Sequence, residues 1–173
     1  MPDSETRMPY YFAYGSNMNT ARVEARIGAT RGSLSGVLHQ YALRFDKASR
    51  VAGIAHANVV PTLGEWVEGA LFELAEPEQI ELMDPYEGYP HDYERHRLPI
   101  VTEEGAIQAW VYIAAPGTTA PFLKPASEYL AHLLAGRPFH SPAYHARLAT
   151  VEAVTGLDEA TLVRLGLSRH SPR

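Results

Sequence analysis

Two short stretches of this chain combine residues that can stabilise charge or move a proton. The first runs from Tyr10 to Met18, reads YYFAYGSNM, and joins a predicted strand to a predicted helix through Gly15. Unpaired backbone amides and the positive end of a helix dipole meet at such a junction, where they favour an anion or a developing oxyanion. Gly15 also permits close approach to a ligand because it has no side chain. The first stretch therefore predicts an anion-binding turn.

The second stretch, Met83 to Pro90, holds Glu87 between turn-forming residues and the aromatic rings of Tyr86 and Tyr89. Most glutamates lie on the surface, because burying their charge is costly. Shielding by the two tyrosines would raise the pKa of Glu87 and suit its carboxyl to general acid–base catalysis near neutral pH. Glu87 is therefore the candidate proton carrier.

Ser16 lies in the first stretch and is the obvious candidate for a nucleophile. A nucleophile elbow has glycine two residues before and two residues after its serine, where this chain has Tyr14 and Met18. We therefore interpret Ser16 as a hydrogen-bonding turn residue, the usual role of serine in such loops. A thiol nucleophile is excluded as well, because the chain contains no cysteine.

The eight histidines do not show the spacing of metal ligands. His91 and His96 are five residues apart and would point to opposite faces if 93–101 is a strand. His140 and His145 flank a predicted helix start and fit surface or capping positions. We therefore expect no metal site. The glycines also fail to form a phosphate-binding motif, so a nucleotide is not the expected ligand.

Composition indicates what kind of partner to expect. The net charge of −5 and the isoelectric point near 5.9 give no electrostatic signature for nucleic acid or an anionic membrane. The N-terminal residues are polar, and the longest apolar stretch, Ala109 to Ala115, is too short to span a bilayer. We expect a cytoplasmic protein with a small-molecule partner and with neither nucleic acid nor membrane as partner.

The elements that must position these residues fall into two groups. Alternating and β-rich patterns predict six strands, at residues 9–14, 37–45, 53–60, 66–74, 93–101 and 106–114. Helical patterns predict a helix ending at Gly28 and a short one from Pro77 to Met83. They also predict three helices in the last third of the chain: one after Pro125 that ends before Gly136, one from Ser141 that ends before Gly156, and one from Asp158 to Gly166. Pro85 would end the short helix that starts at Pro77 and leave Glu87 in a loop. Strands first and helices later indicate one α+β domain over 1–173, with mobile ends at 1–8 and 168–173.

Together the two stretches resemble the gamma-glutamylcyclotransferase family, whose members open with a strand reading like YFAYGSN-L and later carry an LD-x-x-EG turn. Here both occur in that order, as Tyr11 to Met18 and Met83 to Gly88, with methionine at positions 18 and 83 where leucine is common. The similarity continues through three further segments, Gly53–Ala55, Trp66–Leu74 and Tyr93–Arg95.

The resemblance implies a small six-stranded, barrel-like, mixed or mostly antiparallel sheet with flanking helices. It also implies an enzyme that converts a γ-glutamyl compound into 5-oxoproline and a free amine, without a metal or organic cofactor. Glu87 would be the base, and Tyr129 matches a substrate-side tyrosine, although it fits equally well as a packing residue. The resemblance assigns the glutamyl end to Tyr14, Gly15, Ser16, Asn17 and Met18.

Two alternatives remain open at this point. One is a noncatalytic module of the same fold that only binds a small ligand. The other is a cyclotransferase for a γ-glutamylamine or a glutamyl-protected biosynthetic intermediate. The leaving group would face loops at residues 46–52, 61–65 and 89–92, whose composition does not identify it. The sequence also leaves the oligomeric state open.

Overall fold

The framework of the described part of the chain is a curled sheet of six strands. The computed structural model describes residues 9–168, so the predicted mobile ends lie outside the described residues except for Ser168. The strands are β1 (Tyr10–Ala13), β2 (Gly32–Ala48), β3 (Ile54–Glu73), β4 (Tyr93–Thr102), β5 (Gly105–Ala114) and β6 (Lys124–Pro125). The sheet carries them in the order β1-β5-β4-β2-β3-β6.

Pairing between β1 and β3 closes the sheet into a barrel of five strands. β1 runs antiparallel to β3, with Tyr11 opposite Phe72, and parallel to β5, with Tyr11 opposite Trp110. β6 is an additional short strand that runs parallel to the start of β3. The remaining neighbours are antiparallel. The predicted mixed, barrel-like α+β sheet is therefore confirmed.

Two of the predicted strands are parts of one long strand. Segments 53–60 and 66–74 both belong to β3, and residues on both sides of the predicted break pair with β2. The intervening residues bulge outward opposite Gln40, whose φ is +67° and whose side-chain oxygen accepts a hydrogen bond from Gly64 at 2.7 Å. The turn-forming residues thus make a bulge within one arm of a long hairpin, not a loop between two strands.

Within residues 9–168, five α-helices and three short 3₁₀ turns surround the barrel. The helices are α1 (Thr20–Ile27), α2 (Ile80–Glu87), α3 (Ser127–Leu134), α4 (Pro142–Ala149) and α5 (Glu159–Arg164). The 3₁₀ turns are Ser16–Met18, Pro77–Gln79 and Arg137–Phe139. None of the helices within residues 9–168 has the length and hydrophobicity that crossing a bilayer requires.

Two helix ends differ from the sequence prediction. α2 continues through Pro85 to Glu87, because Gly88, at φ +64°, closes the last turn by donating its N–H to the carbonyls of Asp84 and Pro85. α4 ends at Ala149 instead of continuing toward Gly156. The chain beyond it runs extended beside the start of α3, where the amide of Val154 donates to the Pro125 carbonyl at 2.8 Å.

Candidate active site

The described residues enclose a cavity of about 750 Å³ that brings the two predicted stretches together. Gly15 lies on one wall, and Glu87 lies on another at the end of α2. Further walls come from the exposed face of α1, from Lys47 and His56 on neighbouring strands, and from Tyr129 on α3. Residues 163–166 and 168, in and after α5, complete the lining. The barrel therefore places a carboxyl and a glycine turn in one space.

The Gly15 turn is formed differently from the sequence prediction. A 3₁₀ turn separates β1 from α1, and the Asn19 side chain caps α1. Within this turn the amide of Met18 donates to the Gly15 carbonyl at 3.0 Å, and the amide of Asn19 donates to the Ser16 carbonyl at 3.3 Å. Amides available to a ligand are therefore those at the start of the turn, before Met18, and not those of the first turn of α1.

Four of the five turn residues predicted to bind substrate line the cavity: Tyr14, Gly15, Ser16 and Asn17. Met18 does not. Its side chain is fully buried, and its sulfur lies 2.9 Å from Nε2 of His140. Gly136 packs so closely against it that a Cβ there would stand 2.7 Å from the Met18 Cβ. Met18 therefore supports the turn from the core side and is not brought into the cavity.

Buried side chains fix the shape of the turn. The Tyr14 hydroxyl donates to the Tyr112 carbonyl at 2.5 Å, and the Asn17 amide group donates to the Tyr11 hydroxyl at 2.8 Å. Asn17 also accepts a bond from Arg26 at 3.4 Å. Because buried polar groups require partners, these bonds restrict the turn to one arrangement.

Tyr129 reaches the cavity from α3. Its hydroxyl accepts the backbone N–H of Ala57 at 2.9 Å, and the Tyr93 hydroxyl donates to the carbonyl of the same residue at 2.6 Å. Burial raises the pKa of Tyr129 to about 12, so the hydroxyl keeps its proton at neutral pH. That proton remains available for donation to a ligand, since the bond to Ala57 uses the oxygen as acceptor. Tyr129 thus both packs and faces the cavity.

Glu87 is the half-buried last residue of α2. Burial raises the pKa of its carboxyl, and this effect outweighs the opposite influence of the nearby Arg26 and Arg22 guanidinium groups. The tyrosines predicted to shield it are arranged otherwise. Tyr86 and Tyr89 are both 39% exposed, and their rings pack against Arg26 and Arg95 respectively. The raised proton affinity of Glu87 nevertheless fits general acid–base chemistry near neutrality.

An ion pair anchors α2 against the barrel and so positions Glu87. Arg95, on β4, donates to both carboxylate oxygens of Asp84 at 2.8 and 3.0 Å, and the Tyr112 hydroxyl donates to the same carboxylate at 2.7 Å. This bidentate geometry is among the stronger polar contacts in proteins. Asp84 lies three residues before Glu87, on the same helix.

Arg22 and Arg26 are cavity residues that the sequence analysis missed. They lie four residues apart on one face of α1, and both line the cavity. Arg22 Nε donates to the Ser16 hydroxyl at 3.2 Å. Their spacing was visible in the sequence, but two arginines on an amphipathic helix are equally typical of a solvated face.

The two histidines of the cavity are poor proton acceptors. Burial lowers the pKa of His56 and of His132 to about 4, so both rings are neutral at physiological pH. Within residues 9–168 there is no group of three or more His, Cys, Asp or Glu side chains placed to hold a metal ion. Of the two cavity carboxyls, Asp92 lies 3.6 Å from the Lys47 ammonium, whereas burial raises the pKa of Glu87, so Glu87 is the better suited to accept a proton near neutral pH.

A family model matches most of this chain. The model for gamma-glutamyl cyclotransferase, AIG2-like, matches residues 11–131, which contain the Gly15 turn, Glu87 and Tyr129. The chain belongs to this family. A comparison with curated proteins finds no match.

Solved structures share the cyclotransferase fold of this chain. An uncharacterized protein from Homo sapiens is 22% identical with a TM-score of 0.73, and the match covers 91% of this chain and 97% of the human one. A gamma-glutamyl cyclotransferase gives 20% identity, a TM-score of 0.70 and the same coverage. A yeast gamma-glutamyl cyclotransferase specific to glutathione gives 11% identity and a TM-score of 0.51, covering 94% of this chain and 97% of the yeast chain. At these identities the likeness shows the fold alone.

Proposed function

We propose that the protein is a gamma-glutamylcyclotransferase, which releases 5-oxoproline and a free amine or amino acid from a small γ-glutamyl substrate. The main support for this proposal is the placement of Glu87 and the Gly15 turn in one cavity. Glu87, a carboxyl whose pKa is raised by burial, lines the same cavity as the Gly15 turn, where the Ser16 and Asn17 amides have no hydrogen-bond partner within residues 9–168. Membership of the family supports the same reaction.

In this proposal the glutamyl half of the substrate binds at the Gly15 turn. Its α-carboxylate faces Arg22 and Arg26, which already contact Ser16 and Asn17 of the turn. Guanidinium groups match the planar geometry of a carboxylate. This placement directs the γ-carbonyl toward the backbone amides and the α-ammonium toward Glu87.

Glu87 starts the reaction as a base. Its carboxylate takes a proton from the α-ammonium, and the neutral nitrogen attacks the γ-carbonyl carbon to close a five-membered ring. Negative charge then develops on the carbonyl oxygen. The amides at Gly15, Ser16 and Asn17 are placed to stabilise it, an effect worth about 3 kcal/mol for one well-aimed donor in other enzymes.

Glu87 completes the reaction as an acid. As the carbonyl re-forms, the bond from its carbon to the leaving nitrogen breaks, and the Glu87 carboxyl donates its proton to that nitrogen. After attack the ring nitrogen still carries two protons and a positive charge, and it gives one of them to the regenerated Glu87 carboxylate to become the lactam nitrogen of 5-oxoproline. This second proton passes to the released amine, which departs as an ammonium. No water is consumed, and Glu87 ends in its starting protonation state, so one carboxyl serves both steps.

The proposal extends to partners and location. The partner is a small γ-glutamyl compound. We also propose a cytoplasmic location, because the absence of cysteine gives no sign of a disulfide-stabilised secreted protein.

Product analysis tests the proposed reaction. Purified protein is incubated with γ-glutamyl-alanine, and 5-oxoproline, alanine and glutamate are measured together. Cyclisation predicts equal amounts of 5-oxoproline and alanine with no glutamate. Release of glutamate would indicate hydrolysis and contradict the proposal, and the absence of any product from a panel of γ-glutamyl compounds would favour a noncatalytic binding module.

A further inference from the structure

The cavity is cationic although the chain as a whole is acidic. The net charge of the chain is −5. Among the described residues, the cavity lining contains five cationic side chains, Arg22, Arg26, Lys47, Arg50 and Arg164, but only two carboxylates, Glu87 and Asp92. The cavity histidines add no charge, because their pKa values are about 4. Positive charge is thus concentrated where the substrate binds.

The glutamyl half of a substrate does not use all of this charge. Its α-ammonium and α-carboxylate cancel each other, and its γ-carbonyl is neutral. Arg22 and Arg26 are on the glutamyl side, since they bond to Ser16 and Asn17. The other cations therefore face the remainder of the substrate, the half that leaves as an amine.

Lys47 is the most enclosed of these cations, with 5% of its surface exposed. A register shift in β2 falls between Arg44 and Lys47 and places Lys47 opposite His56 on β3. Its ammonium donates to the Ala48 carbonyl at 2.8 Å. Asp92, whose side chain is 58% exposed, forms an ion pair with the ammonium at 3.6 Å, beyond hydrogen-bond distance, and the Tyr93 ring centroid lies 5.5 Å from Nζ.

The ammonium of Lys47 has three N–H donors, and within residues 9–168 only the Ala48 carbonyl accepts one of them at hydrogen-bond distance. The ion pair with Asp92 supplies charge but no hydrogen bond, and donors that stay unused on a buried ammonium are unfavourable, so a carboxylate within hydrogen-bond distance would stabilise it. Arg50 and Arg164 add to the attraction of this part of the cavity, where Arg164 donates to the Arg50 carbonyl at 2.9 Å.

We propose that Lys47 binds a carboxylate on the leaving half of the substrate, so that the enzyme prefers γ-glutamyl amino acids and peptides to γ-glutamylamines with neutral or cationic leaving groups. This inference rests on the proposed cyclotransferase function of the same cavity. A carboxylate satisfies the unused donors of Lys47 by charge-assisted hydrogen bonds. A cationic leaving group would lie beside the positive charge of Lys47, and the repulsion would weaken the binding of that substrate.

Matched substrates test the preference. We compare kcat/KM for γ-glutamyl-alanine and γ-glutamyl-alaninamide, which differ only by the carboxylate, and expect about a ten- to hundredfold advantage for the acid. The Lys47→Met substitution is expected to bring this ratio close to one, whereas Lys47→Arg keeps most of it. Lys124→Met is the control, because Lys124 is the only other lysine and forms an exposed pair with Glu152. An equal kcat/KM for both substrates in the wild type, or an unchanged ratio in Lys47→Met, would overturn the proposal.

A binding measurement separates this proposal from the proposed reaction. Calorimetry with the Glu87→Gln variant compares the affinities of the same two compounds without turnover. Tighter binding of γ-glutamyl-alanine supports the role of Lys47 even if the wild type forms no 5-oxoproline, a result that would refute only the cyclisation. Equal affinities would overturn the role of Lys47 even if the wild type cyclises both compounds.

Discussion

The Tyr129 hydroxyl lies directly against Gly15: a Cβ on Gly15 would stand 3.1 Å from the Tyr129 Oη and 3.3 Å from the Ala57 Cβ. The hydroxyl cannot simply withdraw, because it accepts the buried N–H of Ala57 at 2.9 Å. A glycine near the start of the chain and a tyrosine from α3 therefore form one wall of the cavity, and each limits what the other position can hold.

This contact predicts the effect of Gly15→Ala. The added methyl group crowds the Tyr129 hydroxyl, so we expect a loss of about 1–2 kcal/mol in the free energy of unfolding. We also expect lower cyclisation activity, because the turn amides shift. The Tyr129→Phe background removes the crowded oxygen, and Gly15→Ala should be less harmful there, with a coupling energy of at least about 0.5 kcal/mol. Denaturant unfolding of the four proteins measures it, and strictly additive effects would contradict the contact.

The positive charge of Arg26 predicts a pH effect. Burial raises the pKa of Glu87, and Arg26 is the largest opposing influence. Arg26→Gln removes that influence, so the pKa of Glu87 should rise further. Because the base must be ionised to accept a proton, the acidic limb of the kcat/KM profile should move to higher pH. The profile with γ-glutamyl-alanine measures this shift.

Arg31→Gln is the control for the pH prediction, because Arg31 is exposed and does not line the cavity. Its acidic limb should coincide with that of the wild type. An acidic limb that stays in place in Arg26→Gln, or moves to lower pH, would show that the titrating group is not Glu87 in the environment described above.

Glu87 also has a predictable effect on stability. Since its pKa is raised in the folded state, the folded protein binds the proton more tightly than the unfolded chain, and stability from this group is lost as the pH rises through the folded-state pKa. Glu87→Gln removes the desolvated charge. We expect the variant to melt above the wild type at neutral pH by about 2–4 °C, equivalent to about 1 kcal/mol for a domain of this size. The difference should shrink toward pH 4, and a difference that grows on acidification would contradict the raised pKa.

Local sequence patterns predicted the bounds of those strands that local residues determine. β1, β4 and β5 begin and end within a residue or two of the predicted bounds, because alternation and flanking turn formers determine them. The predicted break between segments 53–60 and 66–74 was wrong because pairing with β2 holds both segments in one strand. The two-residue strand β6 depends on the same kind of distant partner and has no periodicity of its own.

The site residues also divide into those that a local sequence motif reveals and those that are brought into place only by distant contacts in the fold. Gly15 and Glu87 stand in short motifs that a sequence can display. Met18 belongs to the first motif, but its side chain faces the core, because the chain turns between Ser16 and Met18. The segment 46–52, which contains Lys47, was predicted to face the leaving group, but the sequence could not single out Lys47, since the register shift that brings it opposite His56 exists only in the folded sheet.

The proton-carrying role of Glu87 is tested by 5-oxoproline release from the wild type and from Glu87→Gln, with Glu81→Gln as the matched control. Glu81 lies on the same helix but is exposed and outside the cavity lining. Glutamine keeps the shape of glutamate but cannot exchange a proton, so we predict a loss of about 10²- to 10⁴-fold in kcat for Glu87→Gln. Substrate binding should remain, and Glu81→Gln should retain wild-type activity. A Glu87→Gln variant that forms 5-oxoproline at the wild-type rate would show that Glu87 is not the proton carrier of the reaction.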